Sequence, residues 1–432
     1  MTRFRLRVIN FRDAGHLEVR AQGTSEISPC CVLCLTMRRL QKALSNPAPY
    51  RARTVGRMLI LSRFLDVCEY ELAPVMVVNS KPVTPIKTEL GGFRINLVRL
   101  ATAIAKTMHC AEVRNVELPF MVAEQISALQ RHTASFPPFS KRNLRLTDRH
   151  FGEFGLRDFS KTSVEGQYAQ GLSFLFAQDY LGIPALIDFD RFCIDMGIAP
   201  LGSTSSRPDF VACQNSAGYW LVESKGSLES DSVKPELRKG VNQCLAGAAY
   251  LAAQGIPAPK KTYTTLASFR TKSSRKSTRL CYVDPDVPED GGAFDPLKFL
   301  RAYYERVLEA LGYADDATRI WTEAQAPLFR QEFESLGGRY YQIASDDRGG
   351  PLFWALQDRR FFTAPDLYSA GVAKKVIDAL VRGNVQEYFA LIPGFQEQVS
   401  RVTRVAKVAE ADLESPASDQ EFFVDGTVVQ TF

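Results

Sequence analysis

Apolar and polar positions alternate most clearly in the middle of the chain. Asp209-Phe210-Val211-Ala212 and Tyr219-Trp220-Leu221-Val222 read as two short strands joined by a polar turn over residues 215–218, the pattern of a β-hairpin. Upstream, Leu172, Leu175 and Phe176 recur at helical spacing within 163–176, which predicts a helix with one face on a sheet. Downstream, 232–254 reads as a long helix whose Ala246-Gly247-Ala248-Ala249 run suits close packing against a sheet. Residues 262–269 and 278–283 read as strands, and 296–311 as an amphipathic helix carrying Phe299, Tyr303, Val307 and Leu311.

The flanks carry weaker patterns. Strands are expected at 4–11, 16–21, 75–78 and 93–97, and helices at 28–44, 54–72 and 97–108. A basic, proline-containing stretch over 135–146 looks like a linker. Beyond 320 the chain turns aromatic: a hairpin is expected from 339–343 and 352–356, a helix over 369–391 with a break at Gly383-Asn384, and a last hairpin over 421–432 with an Asp425-Gly426 turn. The expectation is an α/β protein of three parts: an N-terminal α+β domain (1–155), a core (156–315) and a C-terminal α+β extension (316–432).

Composition narrows the class. The chain has 432 residues, 45% of them hydrophobic and 23% charged, ordinary for a globular protein. A net charge of +5 is mild, so a polyanion-binding surface would have to come from clustering rather than bulk charge. No apolar run approaches membrane-span length and the N-terminus does not resemble a signal peptide, so a cytoplasmic location is expected. The nine cysteines read as reduced thiols. Cys31 and Cys34 have zinc-knuckle spacing beside Cys30, with His16, Cys68, His109 and Cys110 elsewhere, but no second pair matches, and buried thiols are the better reading. Asp284, Asp286 and Asp290 lack the spacing of a calcium loop and read as solvated. No nucleotide-binding glycine loop is present.

The candidate chemistry lies in the central hairpin. Glu223 and Lys225 are two apart on one strand and leave it on the same face, with Ser224 pointing the other way; Asp209 stands on the neighbouring strand. Two carboxylates converging on one spot suit a hard divalent cation, Mg2+ before any other, and an adjacent lysine can orient or deprotonate a water. The alternative is a surface hairpin whose charges are merely solvated. Lys260, Lys261, Arg270, Lys272, Arg275, Lys276 and Arg279 follow with no acidic residue between them, a cationic segment of the kind that neutralises phosphates.

Pro208-Asp209 followed by Glu223-Ser224-Lys225 resembles the PD-(D/E)xK nuclease superfamily, with its restriction-endonuclease-like fold. The resemblance implies a mixed sheet flanked by helices and a Mg2+-dependent endonuclease, Mn2+ substituting, in which Asp209 and Glu223 hold the metal and Lys225 acts in hydrolysis. It further implies a metal contact from Glu165 on the preceding helix, where the alternative is a carboxylate favouring the helix N-terminus, and a substrate contact from Gln243, with Lys239 behind it, where the alternative is simple exposure. DNA is the expected substrate ahead of RNA, possible companions being a second copy of the chain or a motor or sensor protein, as in restriction and phage-defence systems. The rival expectations are a nucleic-acid-binding or assembly protein that keeps the fold without turnover, and an RNA-processing nuclease.

Overall fold

A computed structural model of the chain describes residues 63–69, 93–111, 118–133, 144–153, 155–200, 206–216, 218–230, 232–284, 294–311, 319–322, 331–335, 338–342, 368–411 and 420–431, all within one unit, Thr54–Phe432. Cys30, Cys31 and Cys34, read as buried thiols, and the strands and helices expected before residue 63 lie outside the described residues, as do 75–78 and 352–356.

Seven strands form a mixed sheet in the order β2-β1-β7-β6-β5-β4-β3. They are β1 (Arg63–Glu69), β2 (Phe93–Ile95), β3 (Ala185–Asp188), β4 (Phe210–Asn215), β5 (Gly218–Leu228), β6 (Lys261–Phe269) and β7 (Arg279–Val283). The β5–β6 and β1–β7 pairs are parallel and the rest antiparallel. Around them run α1 (Leu97–Ala111), α2 (Leu118–His132), the one-turn α3 (Asp148–Phe151), α4 (Asp158–Asp179), α5 (Phe189–Met196), α6 (Val233–Ala253) and α7 (Pro296–Ala310). The fold is therefore mixed α/β with a helix-flanked mixed sheet.

The register of β5 assigns its two coverings. A Cβ at Gly226 would come within 2.8 Å of the Glu165 carbonyl on α4, whereas a Cβ at Gly240 of α6 would meet Thr264 on β6 and lie 3.1 Å from Glu223 Cγ. Residues 223 and 226 leave a strand on opposite faces, so α4 and α6 cover opposite sides. Both approaches rely on glycine: only without a side chain can the backbones come this close. The β4–β5 hairpin forms as expected, with Phe210 opposite Val222 and Cys213 opposite Tyr219.

After α7 come a short helix α8 (Arg319–Thr322) and a second, five-stranded sheet in the order β11-β12-β10-β9-β8, made of β8 (Gln331–Ser335), β9 (Gly338–Gln342), β10 (Tyr368–Ala373), β11 (Gln420–Phe422) and β12 (Thr427–Thr431). Helices α9 (Lys374–Val381) and α10 (Val385–Ala411) lie between β10 and β11.

Two expectations are corrected. Residues 63–69, read as part of a helix over 54–72, form β1, because pairing with β7 outweighs local periodicity. Residues 369–373, read as helix, belong to β10, whose Gly371 and Val372 are held between β9 and β12. The break near Gly383 does occur, at φ 70°, and the C-terminal hairpin turns at Gly426, φ 77°. β1 and β2, from before residue 155, extend the sheet that carries the central hairpin, and the C-terminal hairpin docks on α1.

That docking rests on buried charge. Asp425 is fully buried and accepts from Lys106 Nζ at 2.7 Å, from the Tyr303 hydroxyl, and from the backbone and side chain of Thr427. Lys106 also lies 4.1 Å from the centre of the Phe423 ring. Lys106 above all, with these hydrogen bonds, holds the Asp425 carboxyl below its ordinary value despite burial. Breaking a buried pair by removing one partner typically costs about 3–5 kcal/mol. Asp425→Ala is therefore expected to lower unfolding free energy by about that amount in a urea titration. The wild-type contribution is present above the unfolded carboxyl value and fades as pH falls through the lower folded one, so the gap between variant and wild type should narrow on acidification.

Candidate active site

The site exists because β5 outruns β4. Their last paired residues are Phe210 and Val222, while β5 continues alongside β6 to Leu228. From residue 223 onward β5 therefore has no strand on its β4 side, and its backbone there needs other partners. Asp209, the residue just before β4, supplies one: its Oδ2 accepts from the Ser224 backbone N–H at 2.8 Å and from the Ser224 hydroxyl. Its Oδ1 accepts from Gln170 Nε2 of α4 at 3.3 Å.

The loop carrying Asp209 is fixed from the other side. Gln243 Nε2 on α6 donates to the Arg207 carbonyl at 2.9 Å, and one turn further on a Cβ at Gly247 would come within 2.4 Å of Pro208 Cδ. Asp190 pairs with Arg207 at 2.7 Å. Asp188, across from Phe210, caps α5 by accepting from the Arg191 N–H at 2.9 Å. Burial first, then the charges of Asp190 and Asp209, push its carboxyl up to about 6.

Glu223 and Lys225 project together from β5 toward α6, and the Lys225 ammonium donates to Glu223 Oε1. The Glu223 side chain is only 2% exposed, against 21% for Lys225. Its second oxygen, Oε2, is buried with no hydrogen-bond partner. Burial, then the nearby Asp209 charge, push the Glu223 carboxyl up to about 8; Lys225 and, more weakly, the Asp209 backbone N–H offset part of this. Desolvation without full compensation is what such a rise means.

The remaining sequence-expected residues are distributed as follows. Glu165 is half-buried on α4, its backbone against Gly226; burial raises its carboxyl and Lys161 lowers it. It lies on the face of β5 opposite to Glu223. Gln243 holds the Arg207 backbone rather than pointing a free amide at the carboxylates. Lys239 is exposed and paired with Glu236 at 2.7 Å. The cationic segment divides: Lys260 and Lys261 stand beside Gly218 and Trp220 at the start of β6, whereas Lys272, Arg275 and Lys276 are exposed at the β6–β7 tip. Arg270 is 2% exposed and directed inward, to Glu229 and to the Ser230 carbonyl, which removes it from the phosphate-contacting set.

Two residues of the site escaped sequence reasoning. Ser224 was set aside as facing away, but a donor between two functional positions, just past the end of the partner strand, is where an Asp209 side chain can land. Gln170 is a polar residue between Ala169 and Gly171-Leu172 on a helix buried from Tyr168 onward, and that isolation was the available signal.

The donor set is all oxygen: the two carboxylates, one oxygen of Glu223 buried and unbonded. Among the described residues no three His, Cys, Asp or Glu side chains converge. An ion held by these two carboxylates alone would keep several of its own waters.

The raised Glu223 value has a measurable consequence. The unfolded carboxyl ionises near 4.5 and the folded one near 8, so between these values the unfolded state binds fewer protons and stability falls as pH rises. Glu223→Gln removes this loss. Without divalent ions, the variant is expected to be more stable than wild type at pH 8–9, by on the order of a few kcal/mol, with the difference vanishing toward pH 4.5; equal denaturation curves at both pH values would contradict it. No family model matches the chain, and comparison with the curated proteins and with the solved structures gave no match.

Proposed function

We propose that the protein is a divalent-metal-dependent phosphodiester hydrolase acting on nucleic acid, DNA ahead of RNA, built on a restriction-endonuclease-like core. One observation carries this reading: Glu223 Oε2, buried and without a donor, beside the Asp209 charge and next to the Lys225 ammonium. A buried carboxylate oxygen left without a partner is costly, and a cation is the partner that would relieve both the desolvation and the repulsion from Asp209.

Asp209 and Glu223 would hold the ion. Bound there, it would polarise a phosphodiester and lower the pKa of an attacking water. Lys225, partly exposed and anchored on Glu223, is placed to orient that water or to balance charge developing on the phosphate. Ser224 and Gln170 fix the Asp209 carboxylate, and Gln243 with Gly247 fixes the backbone that carries it; these are positioning residues.

A second reading, a nucleic-acid-binding protein on the same core without turnover, draws on one observation: both Asp209 oxygens already accept hydrogen bonds. Incubating the protein with plasmid, single-stranded DNA and structured RNA, with Mg2+ or Mn2+, separates the two. Divalent-dependent cleavage is expected, reduced roughly 100-fold or more in Asp209→Asn, Glu223→Gln and Lys225→Met. Intact substrates throughout, from a protein that still binds them, would replace the first reading with the second.

A further inference from the structure

The β6–β7 tip does not stand alone. Residues 144–150, which the sequence presents as the end of a linker, are fastened along it. Leu146, fully buried, donates its N–H to the Arg270 carbonyl and accepts from the Lys272 N–H, both at 2.9 Å. The Arg145 guanidinium reaches the carbonyls of Thr271, Lys272 and Ser274. Asp148 Oδ1 accepts from the Ser273 hydroxyl at 2.6 Å. The base of the tip is held by Glu229, whose carboxylate accepts from the Thr271 N–H and hydroxyl at 2.6 and 2.9 Å. Glu229 is also the one non-glycine with a left-handed backbone among the described residues, φ 52°, a conformation that persists only where its surroundings over-determine it.

This docking gathers side chains distant in sequence. Arg131, Arg149, Lys272, Arg275 and Lys276 are all exposed on these joined segments. The exposed carboxylates on these segments and on the first turn of α4 are Asp148, occupied by Ser273, Glu229, occupied by Thr271, and Glu153 and Asp158. Two histidines lie between the cations. Burial, then His150 and Arg131, push His132 down to about 4; burial, then Arg149 and Arg131, lower His150. Beside them, Lys161 of α4 donates to the Gly152 carbonyl at 2.9 Å, which sets the first turn of α4 against the same surface. That turn carries Phe159, 86% exposed.

We propose that α3 with its flanks, the β6–β7 tip and the first turn of α4 form one rigid cationic ledge that receives a nucleic-acid strand, phosphates on the arginines and lysines and a base on Phe159. The ledge rests on the reading of the protein as a nucleic-acid hydrolase and adds where the substrate lies. Glu229, at its base, follows Lys225 by four residues of nearly extended chain, about 13 Å, which corresponds to about four phosphates along one strand of a duplex. Exposed cations beside an exposed aromatic ring are the combination that holds a backbone and stacks a base.

The test measures binding in EDTA, where hydrolysis is silent, using a fluorescent duplex and a single strand of about 30 nucleotides over a range of salt concentrations. Lys272→Ala/Arg275→Ala/Lys276→Ala is expected to reduce the slope of log K against log salt by about two to three. Phe159→Ala should weaken single-strand binding roughly tenfold with the slope unchanged. Arg149→Ala, on the other docked segment, is expected to lower the slope by about one, so a fold defect confined to the tip variant cannot produce the pattern. Unchanged slopes in both the tip and Arg149 variants would overturn the ledge, as would binding to phosphatidylserine vesicles but to neither nucleic acid. Ledge-dependent binding without cleavage in Mg2+ or Mn2+ would keep the ledge and remove the hydrolase; cleavage with wild-type slopes in the ledge variants would do the opposite.

Discussion

The candidate site depends on a mismatch in strand length. β5 runs to Leu228 while its hairpin partner β4 begins only at Phe210, opposite Val222, so the backbone from Glu223 onward has lost its neighbour on one side. In a sheet whose faces are covered by α4 and α6, that exposed ladder has to be satisfied by something other than a strand. Asp209 does so with its side chain at Ser224, and in doing so places its charge beside Glu223. The same overrun lets β5 extend to Glu229, which anchors the β6–β7 tip. The carboxylate pair and the cationic tip are thus consequences of one structural feature at two distances along one strand.

Two buried carboxylates, Asp425 and Glu223, show how differently the fold can treat the same chemical group. Asp425 is surrounded by a lysine, a tyrosine hydroxyl, and the hydroxyl and amide of a threonine, and its carboxyl is held below the ordinary range. Glu223, as deeply buried, has a lysine on one oxygen and nothing on the other, with a second carboxylate nearby, and its carboxyl is raised to about 8. The first arrangement locks a terminal hairpin to the sheet's helices. Since the fold can satisfy a buried acid completely, the shortage at Glu223 is a local property of the β5 site, and sites where desolvation and like charge shift a carboxyl this far are where function concentrates.

Much of the central hairpin was legible because its signals are local. Alternating apolar residues, a polar turn before Gly218, and a strict period of two placed Glu223 and Lys225 on one face before any tertiary information was needed. The small residues of α6 announced its close approach, and Gly247 against Pro208 is that approach. What failed was non-local. β1 became a strand between β2 and a parallel partner more than 200 residues away, and β10 through flanking strands that its Ala-Gly-Val composition does not advertise. Arg270 resembled its exposed basic neighbours until Glu229 and Ser230, across the sheet, turned it inward.

The same distinction explains why a linker-like segment matters more than its composition suggested. Residues 144–146 carry two leucines around an arginine, and both leucines are buried; a polar tether has no reason to hide them. Once Leu146 pairs with the 270–272 backbone, Arg145 is committed to the tip's carbonyls and Arg149 is carried round to the surface that Lys272 and Arg275 already occupy. Charge that is scattered in sequence becomes a surface only when the backbone beneath it is immobilised, because flexible cations spend part of any binding energy on being ordered. Here the ordering is done in advance by main-chain hydrogen bonds, a buried leucine and a left-handed Glu229. A ledge fixed in this way at a set distance from Lys225 would, on the proposed function, bring substrate to the carboxylates in one register, so that holding a strand and cutting it would share one geometry.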